Sequence, residues 1–402
     1  MKLNKYLPFA VIYFFFNSVG LPFGLTFTAL LGPFFYIWVL LVRKKEILLP
    51  FMLLMLPFVI IHLIVVGVDL KSYAVSFINL TFIYCFCHAV YIFVRNSTSV
   101  ELIFRRLLVI NFIFCLIAIP VYFTPWADWL WLRQYITANM TEPIRRLKLL
   151  TYEPSYYALL FAPLFIYFLL QYFFRQNKIR GQLLLPMIFL PLALSFSIGV
   201  ISALLISVIL TVLIHFRKLM RKKRVLNVLV NTAVVTVGAV AILVIFFKDN
   251  PFFTRLISIF SGQDTSGKGR TIDAFILAQK LLKERNEYWG VGLGQIKLMG
   301  QDIIRNYYLY YRDYNVAIPN AAAETLAIFG WVGFVLRLLV EIGLFFYTKV
   351  WTNYFRLLLF IFMFTYQFTG SFITNVVEYV IWVMVFTSAF KQFDVYPCTH
   401  PA

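Results

Sequence analysis

Charge is scarce in this chain. Only 13% of its 402 residues are Asp, Glu, Lys or Arg, against roughly 25% in ordinary soluble domains. With 62% apolar residues and a mean hydropathy of +0.84, a soluble globular fold is excluded. Acidic residues are scarcer still, 17 Asp and Glu beside 36 Lys and Arg, and they form no carboxylate-rich cage for a metal ion. Of the four cysteines, Cys85, Cys87 and Cys115 lie inside apolar runs and Cys398 in the tail. A thiol in such a run behaves as a small hydrophobe. Cys85-Phe86-Cys87-His88 gathers ligand types in sequence, but neighbours two apart on a helix face apart, so no metal site is expected there. The apolar–polar alternation of a membrane barrel is also lacking.

What is abundant is uninterrupted apolar sequence, in runs close to the ~20 residues that a helix needs to cross the hydrocarbon core. The expected fold class is all-α, a polytopic helical membrane protein. It is a single integral membrane domain over residues 1–402 with about twelve spans. A short basic stretch (Lys2, Lys5) precedes the first, 6–19; no small-residue cleavage site follows, so it reads as a span and not a signal peptide. Further spans are expected up to residue 42 and at 47–68 and 73–94. A polar inner loop with Arg95, Arg105 and Arg106 precedes 107–123. After a loop at 124–154 come 156–174, the hairpin 182–194 and 200–216, and then 225–247. A long loop, 248–319, leads to 320–347, 357–370 and 376–390.

A net charge of +19 would suggest nucleic acid in a soluble protein. Here another explanation comes first, because cytoplasmic loops of membrane proteins are rich in Lys and Arg. With both termini cytoplasmic, twenty of the 36 basic residues fall on inner segments, and the short outer turns hold Lys71 alone. This is the positive-inside asymmetry, from which long loops are exempt. No nucleic acid partner is expected. The loops 124–154 and 248–319 then face outward as two extracytoplasmic loops, carrying fourteen Lys and Arg that the rule does not explain. Outside there is no anionic leaflet comparable to the cytoplasmic one, so these charges need another anionic partner.

Within the long loop, residues 270–284 read as an amphipathic helix. Ala274, Phe275, Ala278, Leu281 and Leu282 fall on one side, with Asp273, Lys280, Lys283 and Glu284 opposite. Such a helix is expected to lie flat on the outer membrane–water boundary. Tyr307, Tyr308, Tyr310, Tyr311 and Tyr314 suit the same boundary as an aromatic belt. Stacking on sugars, by these or by Trp126, Trp129 and Trp131, is the alternative. The Gly290-x-Gly292-x-Gly294 turn is no dinucleotide loop, since Lys297 stands where the later glycine would and no strand precedes it. Arg337 and Glu341, i,i+4 inside an apolar span, are expected to pair. Glu378 opens the last span.

Four stretches carry a family resemblance: Tyr152-Glu153-Pro154-Ser155; Leu194-Ser195-Phe196-Ser197-Ile198-Gly199; Thr254-Arg255-Leu256 followed by 266–270 and the three glycines; and Asn320 ten residues before Gly330. In their order, on a twelve-span frame, they resemble the polymerases and ligases of O-antigen and related bacterial surface polysaccharides. The resemblance covers about half the chain, residues 152–333. Ligases of that family carry a functional His before the Asn, and here Pro319 stands there; no histidine occurs in either outer loop. Polymerase is favoured over ligase.

The resemblance implies transfer of a growing glycan from undecaprenyl pyrophosphate onto a new lipid-linked repeat unit, at the outer face of a bacterial inner membrane. A repeat-unit flippase and a chain-length regulator are the expected protein partners, with membrane lipid around the spans. No cofactor and no metal are expected, because fixed guanidinium groups can bind phosphate oxygens and stabilise the leaving charge. Arg270 and Arg255 are first choices for this, and Arg145, Arg146, Arg285 and Arg305 second; solvated or headgroup-facing charge is the alternative for each. The acceptor hydroxyl needs a base. Glu153, at a membrane boundary, is the first candidate, with helix capping as its alternative. Asn320 and Glu324 occupy the first turn of a span, where backbone N–H groups point at anions, and Glu324 is an equal candidate for the base. The competing class is a flippase or exporter of the lipid-linked unit. Transporters favour internal repeats and mid-membrane polar groups, whereas here the polar residues concentrate in the outer loops.

Overall fold

The computed structural model describes residues 6–18, 27–43, 46–96, 100–134, 143–174, 181–220, 265–308 and 317–395. The chain is mostly helical. Five helices are long and apolar enough to cross a membrane, and several shorter apolar ones accompany them, as expected of a multi-pass membrane protein. The expected span at 225–247 and Arg255 lie outside the described residues, as do Tyr310, Tyr311 and Tyr314.

The described residues divide into two compact units. One draws on Met1–Val100, Gly269–Val350 and Met363–Ala389, the other on Glu101–Lys268, Trp351–Phe362 and Phe390–Ala402. In the first unit α1 (Leu7–Phe16), α2 (Phe27–Trp38), α3 (Leu49–Ile61) and α4 (Leu70–Asn96) follow the expected spans closely. A wider π-helical turn, His62–Val66, extends α3 and stops at Gly67, whose φ of 72° is left-handed. At the start of α4, Asp69 accepts the N–H of Ser72 at 2.8 Å, a capping arrangement.

α5 (Val100–Val121) starts earlier than expected, so Arg105 and Arg106 sit on the helix and not in a loop. The second unit continues from it into the 124–154 segment, whose described residues are not purely helical. A short α6 (Ala127–Leu130) leads into β1 (Trp131–Gln134), antiparallel to β2 (Ile144–Leu147) with Trp131 opposite Leu147. Both members of that pair are buried, and the Trp131 indole donates to the Ala118 carbonyl at 2.8 Å. Trp126 and Trp129 stay exposed. α7 (Pro154–Phe174) is buried along most of its length. Its Tyr157 hydroxyl donates to Asn111 at 2.9 Å, and its Tyr167 ring meets Phe104, Phe355 and Phe393 edge-on. α8 (Gly181–Ser195), α9 (Ile198–Ile214) and α10 (Phe216–Met220) follow, with the tight 196–197 turn where the sequence placed it.

α11 (Thr265–Arg270), α12 (Ile272–Glu284) and α13 (Ile296–Tyr307) precede α14 (Ala321–Tyr347), α15 (Tyr354–Tyr366) and α16 (Val376–Phe386). The amphipathic segment does form, as α12, but it does not offer its apolar face to lipid. Ala274, Leu277, Ala278, Leu281 and Leu282 are buried in the first unit's core with Ile296 and Ile304 of α13 and Leu326 and Ala327 of α14. Tertiary packing supplies a drier partner than the membrane boundary. Asp273 is buried too, against expectation. It accepts hydrogen bonds from Tyr307 (3.0 Å) and Tyr308 (3.2 Å), which gives the hydroxyls of these two tyrosines a partner inside the protein.

Candidate functional site

α14 is broken inside its apolar run. Gly330 has φ 66° and ψ −168°, far from helical values and open only to glycine at acceptable cost. A break in an apolar span frees backbone groups that lipid cannot satisfy. The 287–292 loop satisfies them: Val291 and Gly292 donate N–H to the carbonyls of Ala327 (2.9 Å) and Ile328 (3.0 Å), while Trp331 and Val332 donate to those of Glu287 (3.1 Å) and Tyr288 (3.0 Å). The approach is so close that a Cβ on Gly290 would meet the Ile328 carbonyl, and one on Gly330 the Tyr288 carbonyl. His62 reinforces the joint, with Nε2 2.7 Å from the Trp289 carbonyl and Nδ1 3.1 Å from the Tyr73 hydroxyl. The glycine turn is therefore a clamp on a discontinuous helix.

About three turns before the break lies the start of α14. Asn320 is extended and fully buried, and its Oδ1 accepts the Ala323 N–H at 2.9 Å. Its amide nitrogen donates to the carbonyls of Arg270 and Phe368, each at 2.7 Å. The remaining first-turn N–H groups are also used: Ala321 donates to Gly370 (3.1 Å), Ala322 to Gln367 (3.1 Å) and Glu324 to Asn320 (2.8 Å). The expectation of an open anion-binding helix terminus is thus corrected, since every donor already has an acceptor. Asn320 also brings the main chain of Arg270 to this terminus, fifty residues away in sequence. The Arg270 guanidinium is half-buried, and among the described residues it makes no hydrogen bond or ion pair. Glu324 is half-buried, accepting the Ile373 N–H at 2.6 Å. Lys297, Arg337 and Glu378 are the charges in electrostatic reach of it.

Below, Arg337 pairs with Glu341 (3.0 Å) as the spacing predicts, and also with Glu378 of α16. Its remaining donors go to Gln367 (2.9 Å), Thr325 (2.8 Å) and the Ala321 carbonyl (3.4 Å). Ser371 donates to Glu378 at 2.6 Å and Gln367 to Glu341 at 2.8 Å. One guanidinium thus ties α14 to the α15–α16 corner. Sequence spacing could find Glu341, but not Glu378 or Gln367, which arrive through the fold.

The other arginines are spread out. Arg285 is exposed and donates to the Val66 and Gly67 carbonyls (3.1 and 3.3 Å), a cation at a helix C-terminus. Arg305, on α13, is half-buried, its Nε shielded and without a hydrogen-bond partner. In the second unit, Arg145 donates to the Tyr122 carbonyl and lies 5.1 Å from that ring's centre. Arg146 is buried, held by the Ser195 carbonyl (3.1 Å) and Gln134 (2.7 Å). These two hold the hairpin to the ends of α5 and α8. Glu153 accepts the Ser155 hydroxyl, and its backbone carbonyl takes the Tyr157 N–H at 3.2 Å as the first bond of α7. Burial holds the neighbouring Lys148 below its usual pKa, with Asp128 opposing. Of the expected site residues, the structure joins the Arg270 main chain to Asn320, and Glu324 stands on the same first turn of α14. Among the described residues no group of three or more His, Cys, Asp or Glu is disposed to hold a metal ion. No family model matches the chain, and no curated protein does.

Proposed function

We propose that this protein is a polymerase of a bacterial surface polysaccharide of the O-antigen type. In this reading it lies in the inner membrane with about twelve spans and both termini in the cytoplasm, and residues 124–154 and 248–319 face the periplasm. It is a glycosyltransferase that moves the growing glycan from undecaprenyl pyrophosphate to a newly delivered lipid-linked repeat unit. The observation that carries the reading is the joining of Arg270, through Asn320, to the helix turn that bears Glu324.

The chemistry asks for two things of such a site. An acceptor hydroxyl attacks the anomeric carbon, the bond from that carbon to the pyrophosphate oxygen breaks, and the pyrophosphate leaves on its lipid carrying the bonding electrons. Arg270 binds the phosphate oxygens as that charge develops, and Glu324 takes the hydroxyl proton. Glu324 is preferred to Glu153 as base because it stands on the helix turn that Asn320 joins to the Arg270 main chain. Arg305, with its unsatisfied Nε, is a supporting phosphate ligand, and Arg255 keeps its expected role as another.

The test is polymerisation of a defined lipid-pyrophosphate repeat unit by purified protein. Arg270→Ala is expected to abolish polymer while the protein still inserts and melts normally, and Glu324→Gln to reduce the rate by about 100-fold or more. Normal long-chain product from Arg270→Ala would sink the reading. A deletion strain adds a second readout: loss of a polymerase leaves single repeat units on the surface, whereas loss of a flippase leaves none.

A further inference from the structure

Asn320 was expected, from its place in the sequence, to touch substrate. Its surroundings argue otherwise. An asparagine side chain has two N–H donors and a carbonyl oxygen. Both donors are taken, by the Arg270 and Phe368 carbonyls, and the oxygen holds the Ala323 N–H. The residue is wholly buried, so no donor is left for a ligand and no surface on which to offer one. We infer that Asn320 is a positioning residue: it fixes the main chain of Arg270 against the first turn of α14, and acts on the reaction only through Arg270. This rests on the polymerase reading and assigns the device that aligns its phosphate-binding arginine.

The residue type fits this role narrowly. Serine, threonine or aspartate would cap the helix equally well, but none can donate twice. An aspartate would set a carboxylate against two carbonyl oxygens. The amide alone caps with its oxygen while holding two separate chain segments with its nitrogen. The Arg270 carbonyl is the last of α11, and the Asn320 amide donates to it. Two further contacts frame the same short segment. Tyr307 and Tyr308 hold Asp273, three residues on, and the Tyr308 hydroxyl lies 3.3 Å from where a Cβ on Gly269 would be. A guanidinium must meet phosphate oxygens in a fixed fork. Its root is thus held by three side chains from two other elements.

The experiment is a double-mutant cycle on the full-length purified protein with the lipid-pyrophosphate repeat unit as substrate. Asn320→Ser keeps a capping oxygen and replaces the two amide donors by a single hydroxyl proton on a shorter side chain. It is expected to lower kcat by about 100-fold, the scale of a misplaced catalytic group, with little change in KM. In an Arg270→Lys background, where the fork is already lost, the same substitution is expected to change the rate less than about threefold. If Asn320→Ser does not give folded protein, Asn320→Asp, which retains the cap and repels both carbonyls, replaces it in the same cycle with the same expectation. An equal factor in both backgrounds, or a raised KM with kcat unchanged, overturns the positioning role and leaves the polymerase reading intact. Full activity in Asn320→Ser does so as well. Normal polymer from Arg270→Ala strikes the underlying reading instead.

Discussion

Arg337 shows how a single buried charge is made tolerable in an apolar helix. Its guanidinium is shared by Glu341 and Glu378, and Gln367, Thr325 and Ser371 fill the remaining sites around the three. Such a group is retained only when nearly every donor and acceptor has a partner. Removing one member leaves uncompensated charge, which costs more than the intact pair gains. Arg337→Met is therefore expected to destabilise the protein by about 3–5 kcal/mol. Adding Glu378→Gln to it should restore part of the loss, because one of the two stranded carboxylates is then neutral. Thermal unfolding in detergent of the single and double variants checks this, and a double variant no more stable than Arg337→Met would contradict it. Glu341 was legible from its spacing, four residues along one helix. Glu378 was not, because nothing in a sequence marks which of two distant apolar helices will pack together.

At the scale of elements, α14 and the 287–292 loop form one unit of structure. The loop's backbone completes the hydrogen bonding that the break at Gly330 leaves open, so neither part is stable in an apolar setting without the other. Gly330→Ala is expected to cost about 1–3 kcal/mol from its left-handed φ alone, and more because its Cβ meets the Tyr288 carbonyl. Gly290→Ala should behave alike, since its Cβ meets the other side of the same joint. The two together should cost less than their sum, because either one already opens the joint. Unfolding midpoints of the two single variants and the double variant test this; strict additivity would show that the loop and the helix break are independent. The amphipathic helix teaches the complementary lesson. Its periodicity was plain at 270–284, yet periodicity states only that one face will be covered. The cover is α13 and α14 in the first unit's core, where the sequence pattern had suggested lipid.

At the scale of the whole molecule, the proposed topology makes a direct prediction. Cys85, Cys87 and Cys115 are buried and should resist a polar maleimide. A cysteine placed at exposed Lys283 should react with a membrane-impermeant maleimide in intact spheroplasts, and one at exposed Arg217 only after permeabilisation. Labelling of both, or of Arg217→Cys alone, would overturn the assignment of 248–319 to the outer face.

Read alone, the residues settle that the protein is mostly helical, with apolar stretches long enough to cross a membrane, and that Arg337 and Glu341 pair. These follow from composition and from periodicities of a few residues, set by transfer of side chains out of water and by helix geometry. Packing alone settles that Asn320 spends its side chain on the main chain of Arg270 and Phe368, that Gly290 and Gly292 close on a broken helix, and that Glu378 joins Arg337. Each is a contact between segments dozens of residues apart. Hydrogen-bond geometry and close packing fix such contacts only after the helices meet.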